Sequence, residues 1–313
     1  MREPDGALVR GLLGRELQRG RGGRGLSPPA AAFFVPALIA LAFAFAACPA
    51  VAADWRAVPD PPPLPAPALE GWLARDGAEI WFATFGGGDP VILLHLGRGS
   101  SDDWGAEVPA LVAAGHRVVV IDSRGQGRST MGEGPLRYER MERDVVAVMD
   151  ELGLPKAAIV GWSDGAIVAL VTAMKDPDRA TRIFAFAANM DRRAFRPLGL
   201  FAPTAPPANA LLARTYARIS PTPDGWAAAS RAVGRMEASQ PNYSAAELAA
   251  IHGPAIAIVD GDHEEFIRRA HTRYLAGAIP GARLVILPGV GHFAPLEDPA
   301  GFNAALLRFL DGP

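Results

Sequence analysis

The sequence predicts an α/β fold, a mostly parallel and doubly wound sheet interrupted by a short helical cap insertion. Three observations point there. Apolar runs of strand length recur at 80–85, 91–96, 117–121, 157–161, 183–187, 256–259 and 284–287. Segments with apolar residues at helical spacing fall between several of them. One long stretch, about 191–251, carries no strand signal. Strands apolar on both faces that alternate with helices form a parallel sheet, because the crossover helices cover both its faces.

The elements follow in order. The run at 80–85 closes on Gly86-Gly87-Gly88, and 91–96 is the next strand. Trp104, Val108, Leu111 and Val112 then recur at helical spacing, and 117–121 is a near-continuous apolar strand. Met141, Val145, Val148, Met149 and Leu152 mark one helix face, and 157–161 reads as a buried strand. Residues 167–171 are apolar all round, as in a helix packed deep in a domain. Phe302, Ala305, Leu306, Phe309 and Leu310 mark the last helix. Within 191–251, Pro197, Pro203, Pro206, Pro207, Pro221 and Pro223 punctuate short helical pieces. There Ser244 and Glu247 fit a capping box, with Tyr243 and Leu248 placed for a hydrophobic staple.

The first 53 residues differ from the rest. An Arg- and Gly-rich stretch precedes an uncharged apolar run at 30–47, and Ala50-Val51-Ala52 offers small residues at signal-peptidase spacing. That order predicts a secretory signal peptide at 1–53, hence an exported (periplasmic or secreted) protein. The alternative is an uncleaved membrane anchor, since the run approaches the roughly 20 residues a bilayer needs. Sequencing the mature N-terminus separates the two. Residues 54–69 are Pro-rich and predict a semi-rigid linker, so the folded domain is expected at 70–313. Cys48 is the single cysteine, so the chain beyond 53 cannot form a disulfide and must be stabilised by its core. The formal net charge of −2 shows no basic excess, which gives a nucleic-acid partner no electrostatic support.

The chemistry concentrates at Gly161-Trp162-Ser163-Asp164-Gly165, directly after a strand and at the start of a helix. In that context G-x-S-x-G is a nucleophile turn. The serine is forced into an unfavourable backbone conformation, and its neighbours two residues away must lack bulk. The helix opening at Asp164 aims free N–H groups at the same point. Serine needs a base, because its own pKa is far too high for an alkoxide at neutral pH. Among the histidines, His292 stands in Gly289-Val290-Gly291-His292-Phe293, between the last strand and the last helix. Surface or packing roles are expected for His116, His252 and His271, and loop shaping for His95. The base in turn needs a carboxylate. Asp260-Gly261-Asp262-His263-Glu264-Glu265, after the strand at 256–259, offers four acids.

Taken in this order, His95-Leu96-Gly97, the run Asp122-Ser123-Arg124-Gly125-Gln126-Gly127-Arg128-Ser129, the turn around Ser163, the 261–264 turn and Gly291-His292 resemble the α/β-hydrolase superfamily. The resemblance covers nearly all of the chain from about Glu70. It implies Ser163 as nucleophile, His292 as base and Glu264 as the orienting acid, three residues after the glycine that ends its strand. Asp262 is the second choice of acid and Asp191 the third. It implies an oxyanion hole from the N–H groups of Asp164 and Gly97. Leu96 stands where many members have glycine, and this extends the choice of second donor to Arg98. The implied reaction is hydrolysis of a carboxylic ester or lactone through an acyl-enzyme, on a small apolar substrate admitted by the cap. Phe201, Leu211, Leu212 and Tyr216 are candidate lining residues. Carbon–carbon bond hydrolysis and cofactor-free perhydrolysis can use the same triad, and a non-catalytic binding protein could retain the fold. No cofactor or metal is implied, and a serine at the turn argues against dehalogenase or epoxide-hydrolase chemistry.

Overall fold

The computed structural model describes residues 54–196 and 202–312. The expected signal segment and Phe201 lie outside them. Eight strands form one sheet: β1 (Leu69–Arg75), β2 (Ala78–Gly86), β3 (Pro90–Leu94), β4 (Arg117–Ile121), β5 (Ala157–Trp162), β6 (Ala180–Phe186), β7 (Ala255–Gly261) and β8 (Arg283–Leu287). Their spatial order is β1-β2-β4-β3-β5-β6-β7-β8. The β1–β2 and β2–β4 pairs are antiparallel and the rest parallel.

The helices are α1 (Glu107–Ala113), α2 (Tyr138–Glu151), α3 (Asp164–Lys175), α4 (Ala205–Ile219), α5 (Trp226–Ser239), α6 (Ala245–Ala249), α7 (Arg269–Ala278), α8 (Ala294–Glu297) and α9 (Pro299–Asp311). Successive strand residues point to opposite faces, so two separate cores result. Ile92, Leu94, Val119, Ile121 and Ile159 join Met141 and Val145 of α2, Ile167 and Leu170 of α3, and Leu275 of α7. Val91, Leu93, Val118, Val120 and Val160 join Val108 and Leu111 of α1, and Phe302 and Leu306 of α9. The sheet is therefore doubly wound, as its apolar strands require.

Besides the four-residue α8, two elements carried no sequence signal. β1 is an edge strand that leaves Leu69 and Trp72 about half exposed, so it lacks an apolar run. It is positioned by its hairpin with β2, closed by Asp76 and Gly77 at positive φ. α7 buries only Thr272 and Leu275, too few for an apolar stripe.

The insertion between β6 and β7 contains α4, α5 and α6 among its described residues. α4 and α5 have 15 and 14 residues, longer than the proline spacing suggested. Three of the described prolines start elements rather than break them. Pro206 and Pro207 fall in the first turn of α4 and Pro223 opens a short 3-10 turn, where a missing N–H costs no helical bond. The capping box at Ser244 and Glu247 is present. Residues 54–68 lie along the domain: Val58 and Leu64 pack on one core, and Trp55 stacks on His263 with ring centroids 5.0 Å apart.

Candidate active site

The turn between β5 and α3 holds Ser163 at φ +54°, ψ −113°, a conformation that costs an L-residue energy and persists only where the surroundings enforce it. They do. Ser163 N–H donates to Phe186 O on β6 at 2.8 Å, and Ser163 O accepts from Ala166 and Ile167. The flanking glycines are required sterically. A Cβ on Gly161 would collide with the backbone of Gly165 and Ala166, and one on Gly165 would collide with Leu94 O on β3. The loop carrying His292 is joined to this turn, since Trp162 Nε1 donates to His292 O at 2.8 Å.

The structure distinguishes the acids that the sequence offered. His292 Nδ1 lies 2.9 Å from both carboxylate oxygens of Glu264, so Nδ1 carries the hydrogen and Nε2 is left as the free base nitrogen. Glu264 Oε1 also accepts the N–H groups of Phe266 and Ile267 at 2.7 and 2.9 Å, and its side chain is 1 % exposed. Asp262 is 40 % exposed and accepts Gly289 N–H at 2.8 Å, away from the imidazole. Asp191 caps the short turn at Arg192–Ala194 and is held at about 2 chiefly by hydrogen bonds from Arg193. Neither contacts His292 in a hydrogen bond or ion pair.

Other acids surround the base. Glu265 accepts His292 N–H at 3.2 Å and the Thr204 hydroxyl, and Glu297 accepts the N–H groups of Gly291 and Phe293. Asp260, on β7, is pushed up to about 8 by burial and by the charge of Glu264. Burial alone would lower the His292 pKa. The charge and hydrogen bond of Glu264, reinforced by Glu265 and Asp260, overcome it and raise the group to about 8. Burial likewise opposes the Glu264 charge, yet His292 and the two N–H donors bring its pKa below the ordinary glutamate value. A base must be neutral to accept a proton. If His292 is the base, kcat/KM should rise about tenfold per pH unit on the acid side and level off above about pH 8. A pH–rate profile on a short ester tests this, and a plateau already reached at pH 6 would contradict it.

The loop after β3 faces the nucleophile turn. His95 is buried, with Nδ1 at 2.7 Å from Leu96 O and Nε2 accepting Ser123 N–H at 2.9 Å. It therefore ties this loop to the one after β4, as its expected loop-shaping role requires. Arg98 is excluded as an oxyanion donor, because its N–H is taken by Gln126 Oε1. The N–H groups of Leu96, Gly97 and Asp164 have no acceptor among the described residues. The Asp164 and Gly97 N–H groups are thus free to donate, as is that of Leu96.

The Asp164 side chain adds a feature the sequence did not signal. It is buried, with Oδ1 accepting the Tyr138 hydroxyl at 2.7 Å and Oδ2 without a partner among the described residues. Burial and then the neighbouring Glu237 push its carboxyl up to about 7, against the opposing effects of Tyr138, Arg98 and His292. Asp164 Oδ2 and Glu237 Oε1 would lie 2.6 and 2.9 Å from a Cβ on Gly97, so a side chain there would have to displace these two carboxyl groups. This side of the site is charged, where the small apolar composition of the cap had suggested an apolar surface. Of the candidate lining residues, Leu211 and Leu212 pack into a core, and Tyr216 bonds Thr222 and packs on Trp226. A cavity of about 700 Å³ between the start of α2 and α5 includes neither Ser163 nor His292.

Comparison with known proteins agrees with this architecture. The sequence profile of the alpha/beta hydrolase family matches residues 91–305. Serine hydrolase BPHL of Homo sapiens is 27 % identical over 253 residues, covering 76 % of this chain and 85 % of that protein. The enol-lactonase of Burkholderia xenovorans LB400 superposes with a TM-score of 0.61 at 23 % identity, over 77 % of this chain and all of that one (100 %). Carboxylesterase CesB of Bacillus subtilis gives 0.63 at 20 % identity, over 80 % and 93 %. With a nucleophile-type turn after β5, an acid turn after β7 and a histidine loop after β8, all within the matched span, the chain belongs to the alpha/beta hydrolase family.

Proposed function

We propose that this protein is a serine hydrolase that cleaves a carboxylic ester or lactone through an acyl-enzyme. The observation that carries the reading is a strained, glycine-flanked Ser163 on a turn joined through Trp162 to the loop of His292, whose Nδ1 is engaged by Glu264. Ser163 attacks the carbonyl as His292 Nε2 takes its proton. The negative charge that develops on the carbonyl oxygen is met by the N–H groups of Asp164 and Gly97. His292 then returns the proton to the departing alcohol oxygen, which leaves the acyl group on Ser163. Water attacks the acyl-enzyme as His292 takes its proton, and His292 returns that proton to the Ser163 oxygen as the carboxylic acid departs. Glu264 holds the imidazole in the productive tautomer and stabilises the imidazolium. An enol-lactonase and a carboxylesterase among the structural neighbours are consistent with the reaction class but share only the fold.

A fluorophosphonate probe, together with a p-nitrophenyl ester of short chain, tests the reading. The expected result is stoichiometric labelling at Ser163, ester turnover, and loss of both in Ser163→Ala. An intact chain that never reacts at Ser163 would instead indicate a binding protein. Faster turnover of a vinylogous diketone than of any ester would point to carbon–carbon bond hydrolysis.

A further inference from the structure

We propose that Arg98 is a positioning residue through which the cap helix α5 sets the oxyanion donor at Gly97. The inference rests on the serine-hydrolase reading above, and it extends the machinery to a residue of the insertion.

The loop after β3 makes a tight turn closed by Gly99 N–H donating to Leu96 O at 3.0 Å. Arg98 occupies its third position at φ +67°, where glycine or asparagine is usual because a Cβ is strained there. A long side chain in such a place persists only if the surroundings hold it. Both ends of Arg98 are held. Its N–H donates to Gln126 in the loop after β4. Its guanidinium makes a fork with Glu237 of α5, Nη1 to Oε1 at 2.6 Å and Nη2 to Oε2 at 2.7 Å. Nε adds a bond to Ser230, two helical turns earlier on α5, at 3.1 Å. Between them on α5 is Gly234, where a Cβ would come within 3.2 Å of Arg98 Nη2. The absence of a side chain there lets the planar group lie close against the helix. Lysine could not reproduce this fork, since it presents one point charge.

The consequence falls on Gly97. It is seated between Asp164, from the nucleophile turn, and Glu237, from the cap. Arg98 is the cation paired with Glu237 in this cluster, and Tyr138 donates to Asp164. Removing the Arg98 side chain leaves two carboxyl groups facing one another across Gly97, and the loop between them loses its tie to α5. The oxyanion donor is then assembled only while α5 is seated, which couples cap position to transition-state stabilisation.

The test compares Arg98→Ala, Arg98→Lys and Glu237→Gln with the wild type. Arg98→Ala should lower kcat about 100-fold, the scale of losing one oxyanion donor, with KM changed far less. A boronic acid, whose tetrahedral adduct on Ser163 mimics the anionic intermediate, should lose affinity by the same factor. Arg98→Lys and Glu237→Gln should fall between, and the exchange Arg98→Glu with Glu237→Arg should recover part of the loss. Hydrogen exchange should quicken in both 95–99 and α5 for each single variant. Should Arg98→Ala fail to fold, the Lys and Gln variants carry the same comparison. Unchanged kcat and boronate affinity in the folded variants would overturn the proposal, as would a loss of activity with boronate affinity intact. A wild type that neither hydrolyses esters nor takes a fluorophosphonate would defeat the hydrolase reading, and this proposal with it.

Discussion

Glu264→Gln should lower kcat by about 10⁴-fold while Asp262→Asn stays close to wild type. The reason is geometric. Glu264 is the carboxylate in contact with His292 Nδ1, at 2.9 Å through both oxygens. An amide at that place presents a donor toward a ring nitrogen that must itself donate, and so favours the wrong tautomer. It also removes the charge that stabilises the imidazolium. The two backbone bonds from Phe266 and Ile267 reach Oε1 and can be kept by the amide oxygen, so the fold should survive. Asp262 is exposed; it accepts Gly289 N–H, which an amide oxygen can also do, and its other neighbour is the exposed His263 ring at 3.7 Å. Steady-state kinetics with melting curves on both variants separate the cases. Equal and small effects would remove Glu264 from the triad.

Gly165→Ala is expected to have a large effect, on stability as well as rate. A Cβ there would collide with Leu94 O and come within 2.7 Å of His95 O. These are backbone atoms at the end of β3, which cannot rotate aside as a side chain would. Overpacking of this kind costs about 1–3 kcal/mol. The relief available is a shift of α3 away from β3, which displaces Ser163 and the Asp164 N–H from the loop at Gly97. Displacing even one oxyanion donor costs about 10²–10³ in kcat, so activity should fall by at least the lower figure. Gly277 is the control. It lies within α7 with nothing near its missing Cβ, so Gly277→Ala should be neutral or stabilising by up to about 1 kcal/mol, with activity unchanged. Thermal melts and ester kinetics on the pair read both quantities. A Gly165→Ala protein with wild-type rate and stability would show that the turn is less constrained than its geometry implies.

The elements that the sequence disclosed were those that bury the most apolar surface. The central strands are apolar on both faces because helices cover both. β1 and α7 escaped notice because each buries little, and their places are fixed by pairing with β2 and by packing beside β7 and β8. The cap helices were read as shorter than they are, because a proline in a first turn and one that ends a helix look alike without knowledge of where the helix starts.

The candidate site divides along the same line. Ser163 and His292 were legible because their requirements are local: a glycine-flanked turn after a strand, and a histidine loop before the last helix. The sequence by itself determined the class of fold, these two residues and a short list of acids. The family resemblance ranked Glu264 first on that list, but which carboxylate reaches an imidazole 28 positions away is a matter of tertiary structure. Only the folded chain decides that, because the 260–265 run turns its acids in different directions. The same holds for Asp164, Tyr138, Arg98 and Glu237, which converge from the nucleophile turn, α2, the loop after β3 and the cap. Their side-chain bonds span 26 to 139 positions of sequence. A local pattern records the backbone geometry that a turn requires, but not the distant charges that the tertiary structure brings against it.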